Sequence, residues 1–185
     1  MRADARRNRE RLLAVAVEAF STAPTESEVS LESIARGAGV GIGTLYRHFP
    51  TREALIEAAY RNEVDRLCQA ADQLLATEPP AVALRSWMDR FVDYMTTKHG
   101  MADALRAVIA SGADPFAPTR GRLLGTVKML VVAAVADDTI RADANPDDVL
   151  KGMSGVSLVA GAADQREQAA RLLDLLMDGL RYRPS

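Results

Sequence analysis

Residues 30–55 read SLESIARGAGVGIGTLYRHFPTREAL, and this stretch decides the fold. Ser30 can cap a helix, because its hydroxyl accepts a hydrogen bond from the free amides of the first turn. Gly39 supplies the left-handed backbone that lets two helices meet at a steep angle across a short turn. Pro50 ends the next helix, since proline cannot continue one. The stretch therefore predicts two short helices, at 31–37 and 41–48.

A longer amphipathic helix precedes this stretch. Leu12, Ala16 and Phe20 recur at helical spacing behind an arginine-rich start, which predicts a helix over about 5–21. Together with the two short helices it forms a helix-turn-helix, a module that presents the start of its last helix to the major groove of DNA. Its predicted core consists of Leu12, Ala16, Phe20, Ile34, Ala35, Val40, Leu45 and Phe49.

The remainder of the chain has the pattern of helices alone. No sustained alternation of apolar and polar residues marks a half-buried strand, so we expect an all-α protein. Turn signals such as Asp114-Pro115 and Asn145-Pro146 separate the apolar segments. The further predicted helices cover 51–75, 81–98, 101–110, 119–136, 146–159 and 165–182, which makes about nine in total.

Charge is distributed unevenly along the 185 residues. Residues 1–52 carry eight arginines against six acids, whereas residues 53–185 carry 15 basic residues against 19 acids. A basic front favours a DNA-facing end attached to a body that need not touch DNA. The longest wholly apolar run, 129–136, is eight residues, far short of the roughly 20 that cross a bilayer. With no secretory signal pattern, we expect a cytoplasmic protein without a membrane partner.

Two short motifs carry a family resemblance. Ile-Ala-Arg-Gly-Ala-Gly-Val at 34–40 is followed by Gly-Thr-Leu-Tyr-Arg-His-Phe at 43–49. These motifs resemble the tetracycline-repressor-like (TetR) family, over about 45 residues from Leu12 to Leu55. The resemblance implies a ligand-responsive repressor that binds a palindromic DNA operator as a homodimer. We expect a helix-turn-helix domain over 1–52 and a helical effector-sensing and dimerisation bundle over 53–185.

The third helix and its flanks supply the candidate DNA contacts. Hydroxyl and imidazole groups suit phosphates, and Arg47 can read a guanine edge through two parallel hydrogen bonds. Arg52, at the start of the fourth helix, is suited to pair with a phosphate, which the resemblance also implies. The predicted DNA-binding residues are Ser30, Ile42, Gly43, Thr44, Tyr46, Arg47, His48 and Arg52. Two interpretations stay open, a mobile DNA-contacting arm or a solvated helix face, for Arg2, Arg6, Arg7 and Arg9.

The middle helices collect aromatic and flexible apolar side chains. Such residues line pockets between bundle helices, although they also build ordinary cores. Lys128 stands out as a polar group on an apolar stretch, even though lysine usually extends to water. We expect a small, mostly apolar effector. Its predicted lining is Trp87, Phe91, Tyr94, Met95, Leu105, Ile109, Phe116, Leu124 and Lys128.

The last two helices combine small residues with leucines. Small residues permit close helix approach and leucines supply buried area, which favours a four-helix contact between two copies, as the resemblance also implies. The alternative is that the leucines of 172–180 cover the protomer's own core. The predicted dimer residues are Gly152, Gly155, Val156, Val159, Leu172, Leu176 and Leu180.

An enzyme is the main rival from another class of protein. The chain has two histidines, His48 and His99, one cysteine, Cys68, and neither a phosphate-binding glycine loop nor a paired-carboxylate motif. We therefore expect no catalytic residue, no metal site and no cofactor. A helix-turn-helix protein without a small-molecule effector remains an open alternative, and repression is favoured over activation on the resemblance alone.

Overall fold

The computed structural model describes residues 2–23, 25–161 and 163–181. Its α-helices are α1 Arg2–Thr22, α2 Leu31–Gly37, α3 Ile42–His48, α4 Arg52–Thr77, α5 Pro80–Gly100, α6 Ala102–Ala110, α7 Ala117–Ala136, α8 Pro146–Ala160 and α9 Arg166–Leu180. Within these ranges the only β-type pairing is a single bridge between Ile140 and Arg181. The predicted all-α fold of about nine helices is confirmed.

Local signals set the ends of α2 as the sequence predicts. Ser30 is the N-cap, and its Oγ accepts a hydrogen bond from the Ser33 amide at 3.3 Å. Gly39 has φ +67°, a backbone conformation that glycine adopts at little cost, in the turn that leads to α3. At Gly37, a Cβ would lie only 3.0 Å from Val15 Cγ1, so the missing side chain lets α1 and α2 approach closely.

The helix that differs most from its predicted start is α1, which begins at Arg2 rather than near residue 5. Ion pairs of Arg7 with Asp4, and of Arg6 with Glu10, lie along its exposed surface one turn apart. The arginine-rich segment is thus part of a helix and not a separate arm. The side chain of Arg2, and Tyr182 at the predicted end of the last helix, lie outside the described residues.

The contacts of the chain divide it into two compact units. The first comprises Met1–Glu63 with Thr97–Ala117, and the second comprises Val64–Thr96 with Pro118–Ser185. The first unit therefore groups α6 with the three N-terminal helices, which the predicted boundary at residue 52 does not do. Within this first unit, the end of α5 lies very close to the end of α1. A Cβ on Gly100 would overlap the carbonyl oxygen of Ser21.

The core of the first unit contains the side chains that the sequence predicts for the helix-turn-helix. Leu12, Ala16, Ile34 and Leu45 are fully excluded from solvent, while Val40 is half-buried. Burial of a leucine or isoleucine side chain contributes about 1.5–3 kcal/mol, so these few side chains supply several kcal/mol that hold α1, α2 and α3 together. The helix α3 is consequently held by its inward residue and leaves its other side open.

The second unit is organised around α5. Trp87 is fully buried, and its Nε1 donates a hydrogen bond to the Leu67 carbonyl of α4 at 2.8 Å. On another side, the Arg85 guanidinium donates to Asp89 at 2.6 Å and to Asp174 of α9 at 2.7 Å. These bonds join α9 to α5. The adjacent helices α8 and α9 pack against each other and form the last pair of the unit.

Candidate nucleic-acid interface

The exposed face of α3 is the centre of the candidate interface. Leu45 points inward with no exposed surface, whereas Ile42, Gly43, Tyr46 and Arg47 are exposed. Positions four apart on a helix lie above one another, so these four residues form one continuous face. The helix α3 is thus anchored on one side by a buried leucine. Its other side carries an arginine, a tyrosine and a glycine, and this side is suited to enter a groove of DNA.

Gly43 has no structural partner that would require a glycine. A Cβ built at this position meets nothing within 4 Å, and the residue lies inside a helix. Glycine costs roughly 1 kcal/mol relative to alanine in an exposed helix. The fold alone therefore gives no reason for glycine here, whereas close approach of another molecule to the helix backbone does.

The predicted phosphate-contacting residues flank this face. Thr44 and His48 are half-buried, and the His48 ring lies 6.1 Å from the Phe49 ring. Ser30 is exposed at the start of α2, where its Oγ donates to Glu32 at 2.8 Å. This hydrogen bond lowers the pKa of Glu32 below its ordinary value. The Ser30 hydroxyl is thus occupied by helix capping, while its position at a helix start remains compatible with a phosphate nearby.

Arg52 has a structural role that the sequence does not reveal. Its Nη1 donates a hydrogen bond to the Val29 carbonyl at 2.6 Å, and its guanidinium lies 5.1 Å from the centre of the Phe20 ring. The side chain is half-buried, and it ties the start of α4 to α1 and to the loop before α2. The phosphate contact expected for this residue stays a prediction.

The arginines of α1 follow two patterns. Arg9 lies over the ring of Phe49 with 5.5 Å between guanidinium carbon and ring centre, which braces the end of α3. Arg7 and Arg11 line a shallow groove on the surface of α1, where Arg11 Nη2 also donates to Asn8 at 2.6 Å. Arg9 thereby serves packing within the module, and the groove arginines face solvent.

The nine residues predicted to line an effector pocket are divided between the two compact units. Leu105, Ile109 and Phe116 belong to the first unit, and the others belong to the second. Trp87, Phe91 and Tyr94 form an aromatic cluster with ring centres 5.7 and 5.9 Å apart. Two of the predicted residues, Ile109 and Lys128, are exposed on the surface. For Lys128 this is the ordinary behaviour of a lysine on an apolar helix.

The structure leaves an apolar face exposed on α8 and α9. Leu158 is 76% exposed, Val159 63% and Leu175 67%, although the burial of such side chains is favourable. Of the residues predicted for a dimer contact, Val159 and Gly155 are exposed, and Val156, Leu172 and Leu176 are half-buried, on these two helices. Large exposed apolar side chains on two helices that pack together are of the kind that marks an interaction surface.

Two other predicted dimer residues serve the protomer itself. Leu180 is only 9% exposed, and a Cβ on Gly152 would contact Leu176 of the same chain at 3.4 Å. Conversely, the most exposed leucines, Leu158 and Leu175, are absent from the prediction. Each lies three residues from a predicted interface position on its own helix, Leu158 from Gly155 and Leu175 from Leu172, and this spacing is the signal that could have found them.

A metal site needs several ligating side chains close together, and a membrane span needs a long apolar helix. The described ranges bring together no cluster of three or more histidine, cysteine, aspartate or glutamate side chains able to hold a metal ion. In the same ranges no helix combines the length and the apolar character that a bilayer crossing requires.

Comparison with known proteins gives matches over both halves of the chain. The model for bacterial regulatory proteins of the tetR family matches residues 12–59, and the model for the C-terminal domain of SbtR-like transcriptional regulators matches residues 79–182. A staphylococcal HTH-type transcriptional regulator, from Staphylococcus aureus strain USA300, is 37% identical over 65 residues. That stretch covers 35% of this chain and only 35% of the relative.

Solved structures match over nearly the whole length. A TetR transcriptional regulator from Streptomyces coelicolor is 54% identical, with 95% of this chain and 99% of that chain covered and a TM-score of 0.89. A TetR regulatory protein from Mycobacterium vanbaalenii is 34% identical, with 98% and 99% covered and a TM-score of 0.80. The resemblance seen in residues 34–49 thus extends to the C-terminal helices.

Proposed function

Because the chain belongs to the TetR family of bacterial transcriptional regulators, we propose that it is a repressor that binds a palindromic DNA operator as a homodimer. The observation that carries this proposal is the exposed face of α3, formed by Ile42, Gly43, Tyr46 and Arg47 on a helix anchored by buried Leu45. A regulator of this kind works in the bacterial cytoplasm, where the chromosome lies. Its family and fold are those of transcriptional regulators, which are not enzymes.

In the proposed complex, α3 enters the major groove. Arg47 donates two hydrogen bonds to a guanine edge, and Gly43 lets the helix backbone approach the DNA closely. Thr44, Tyr46 and His48 contact phosphates on either side, which fixes the register of the helix in the groove. Arg52 stabilises the module that presents α3 through its contacts with Val29 and Phe20. This role does not depend on a contact between Arg52 and a phosphate.

The second copy of the chain covers the exposed apolar face of α8 and α9. A two-fold interface places the same patch of each protomer against the other. Leu158 and Leu175 therefore become buried on both protomers of the dimer. A dimer also presents two α3 helices to two half-sites, which explains why the operator is expected to be palindromic. Dimer formation and recognition of a palindromic operator therefore depend on the same two-fold symmetry.

A small, mostly apolar effector completes the proposal. Its binding would shift α4 and change the distance between the two DNA-binding modules of the dimer. A ligand shifts such an equilibrium only through different affinities for the two states, and a tenfold loss of operator affinity corresponds to about 1.4 kcal/mol of coupling. The effector thus needs only a modest preference for the released state.

Operator selection is the experiment that tests this function. Purified protein is expected to enrich one palindromic sequence from sheared genomic DNA, and fluorescence anisotropy of that duplex should then saturate at two protomers per site. A scrambled duplex should bind far more weakly, and both affinities should fall with salt as phosphate contacts are screened. If no sequence is enriched above the input, the chain is not the sequence-specific regulator proposed.

Gly43→Ala tests whether DNA occupies the open space beside Gly43 on α3. We expect unchanged or slightly raised thermal stability, by up to about 1 kcal/mol, because alanine favours a helix. We expect operator affinity to fall roughly tenfold, since a difference of about 1.4 kcal/mol arises when a methyl group stands in a tight contact. Circular dichroism and anisotropy measure the two quantities.

Gly121→Ala is the matched control for this substitution. Gly121 is also exposed inside a helix, α7, and a Cβ there also meets nothing within 4 Å. The control should gain stability in the same way and keep wild-type operator affinity. Wild-type affinity in Gly43→Ala would show that nothing approaches this glycine closely.

A further inference from the structure

The three lysines of the chain differ in their surroundings. Lys128 is exposed on α7, and Lys151 is exposed and pairs with Asp147 one turn away. Lys98, near the end of α5, is half-buried, and its Nζ lies 4.7 Å from the centre of the Phe116 ring. A lysine held against an aromatic ring instead of extended into water is the exception among them.

The ring beneath Lys98 is itself held in place. Phe116 is half-buried and meets Tyr60 edge to face, with ring centres 5.5 Å apart and planes at 83°. Tyr60 is only 2% exposed. All three residues belong to the first unit, so an ammonium group and a partly open aromatic surface lie side by side in one compact body.

No carboxylate of the described residues forms an ion pair with Lys98. The acid nearest to Phe116 in sequence, Asp114, accepts hydrogen bonds from the Phe116 amide at 2.8 Å and from the Ala117 amide at 3.1 Å, and so caps the start of α7. Burial lowers the pKa of Lys98, and no acid of the described part of the chain opposes the effect. Among the described residues, this partly desolvated charge lies against a ring face and pairs with no carboxylate.

A ligand could supply the missing negative charge. Desolvated ammonium groups pair strongly with anions, because hydrogen bonds to charged partners are about twice as strong as neutral ones. The half-exposed Phe116 beside the ammonium offers an apolar surface to the remainder of such a ligand. An acidic group attached to an apolar body matches both features at once.

We propose that Lys98 binds the acidic group of the effector, which is an amphipathic organic anion whose apolar body contacts Phe116. This inference rests on the proposed function and narrows the effector from a mostly apolar molecule to an apolar molecule with one acidic group. In this proposal the polar group of the effector site is Lys98, whereas the sequence predicts Lys128.

Two fluorescent probes that share one skeleton test this site. 1-Anilinonaphthalene-8-sulfonate carries a sulfonate, and N-phenyl-1-naphthylamine is the same aromatic amine without it. In the full-length protein, Lys98→Met is expected to weaken sulfonate binding about tenfold and to leave binding of the neutral amine within twofold. Lys98→Arg keeps the charge and should stay within threefold of the wild type for both probes.

Lys151→Met is the matched control, since it removes the same charge from an exposed lysine on α8. It should leave the affinity for both probes unchanged. Lys98→Met should unfold at a temperature no lower than the wild type, because methionine does not carry the desolvated charge. The inference is overturned if the wild type does not bind the sulfonate, if Lys98→Met weakens both probes equally, or if it weakens neither.

Operator binding separates this inference from the function on which it rests. Without probe, Lys98→Met should bind the selected operator as the wild type does, while excess sulfonate should release the wild type and not the variant. If the protein binds its operator normally but probe binding does not depend on Lys98, only the proposed effector chemistry is overturned. A wild-type protein that selects no operator overturns the proposed function, whatever the probes show.

Discussion

Leu158→Asp is expected to convert the dimer into folded monomers and to weaken operator binding by at least a hundredfold. Leu158 is 76% exposed in the protomer, so the substitution removes little from the protomer's own core. In the proposed dimer it places an unpaired carboxylate in an apolar contact, on both protomers at once, and such burial costs several kcal/mol. Loss of the second DNA-binding module then removes an avidity gain of roughly 10²–10⁴.

Val82→Asp is the control for this prediction. Val82 is 49% exposed on α5, away from the last two helices in the sequence, and the change in polarity is the same. Analytical ultracentrifugation should show a dimer for the control and a monomer for Leu158→Asp, with matching circular dichroism spectra. A Leu158→Asp protein that remains dimeric would place the contact between copies elsewhere on the surface.

Arg47→Ala is expected to lower affinity for the selected operator roughly 10- to 100-fold, because one bidentate contact to a guanine contributes about 1–3 kcal/mol of discrimination. Affinity for a scrambled duplex should fall much less, since only one positive charge is lost. Repeated selection with the variant should show relaxed preference at one base pair in each half-site. Anisotropy over a salt series measures both affinities.

Arg36→Ala serves as the comparison, as Arg36 is also an exposed arginine of the helix-turn-helix but lies on α2. Any loss caused by its removal should be similar for operator and scrambled DNA. If Arg47→Ala also weakened all sequences equally, Arg47 would be a phosphate contact, and base recognition would belong to another residue of α3.

The helix-turn-helix was predictable because its signals are local. The cap at Ser30, the left-handed turn at Gly39 and the break at Pro50 act within a few residues, and α2 has the predicted bounds, Leu31–Gly37. The family resemblance rests on the same stretch, and it is confirmed over both halves of the chain. Local backbone preferences and hydrogen bonds need no knowledge of distant residues.

The role of Arg52 was only half predictable. Its place at the start of α4 follows from the proline and threonine before it, and α4 does begin at Arg52. Its bond to Val29 and its contact with Phe20 involve residues more than 20 positions away. A guanidinium can satisfy a phosphate or a backbone carbonyl equally well, and only the folded arrangement decides which partner is near.

In the C-terminal half, periodicity predicted the helices but not their outward faces. The second half of α7, residues 129–136, is wholly apolar, with Met129 and Val132 exposed, so its sequence does not indicate which side is buried. Likewise Leu180 packs inward, while Leu158 and Leu175 point outward. Leucines on two faces of a helix look alike in sequence, because burial depends on which other helix lies against each face.

The sequence by itself determined the all-α class, the helix-turn-helix and the face of α3 proposed to read DNA, because each depends on capping, turn and period signals within one or two helices. The tertiary structure alone decided that α6 groups with the N-terminal helices, that Lys98 rather than Lys128 is half-buried, and that Leu158 and Leu175 are the exposed leucines. These outcomes depend on contacts between residues far apart in the chain, and burial is a property of such contacts and not of any residue type.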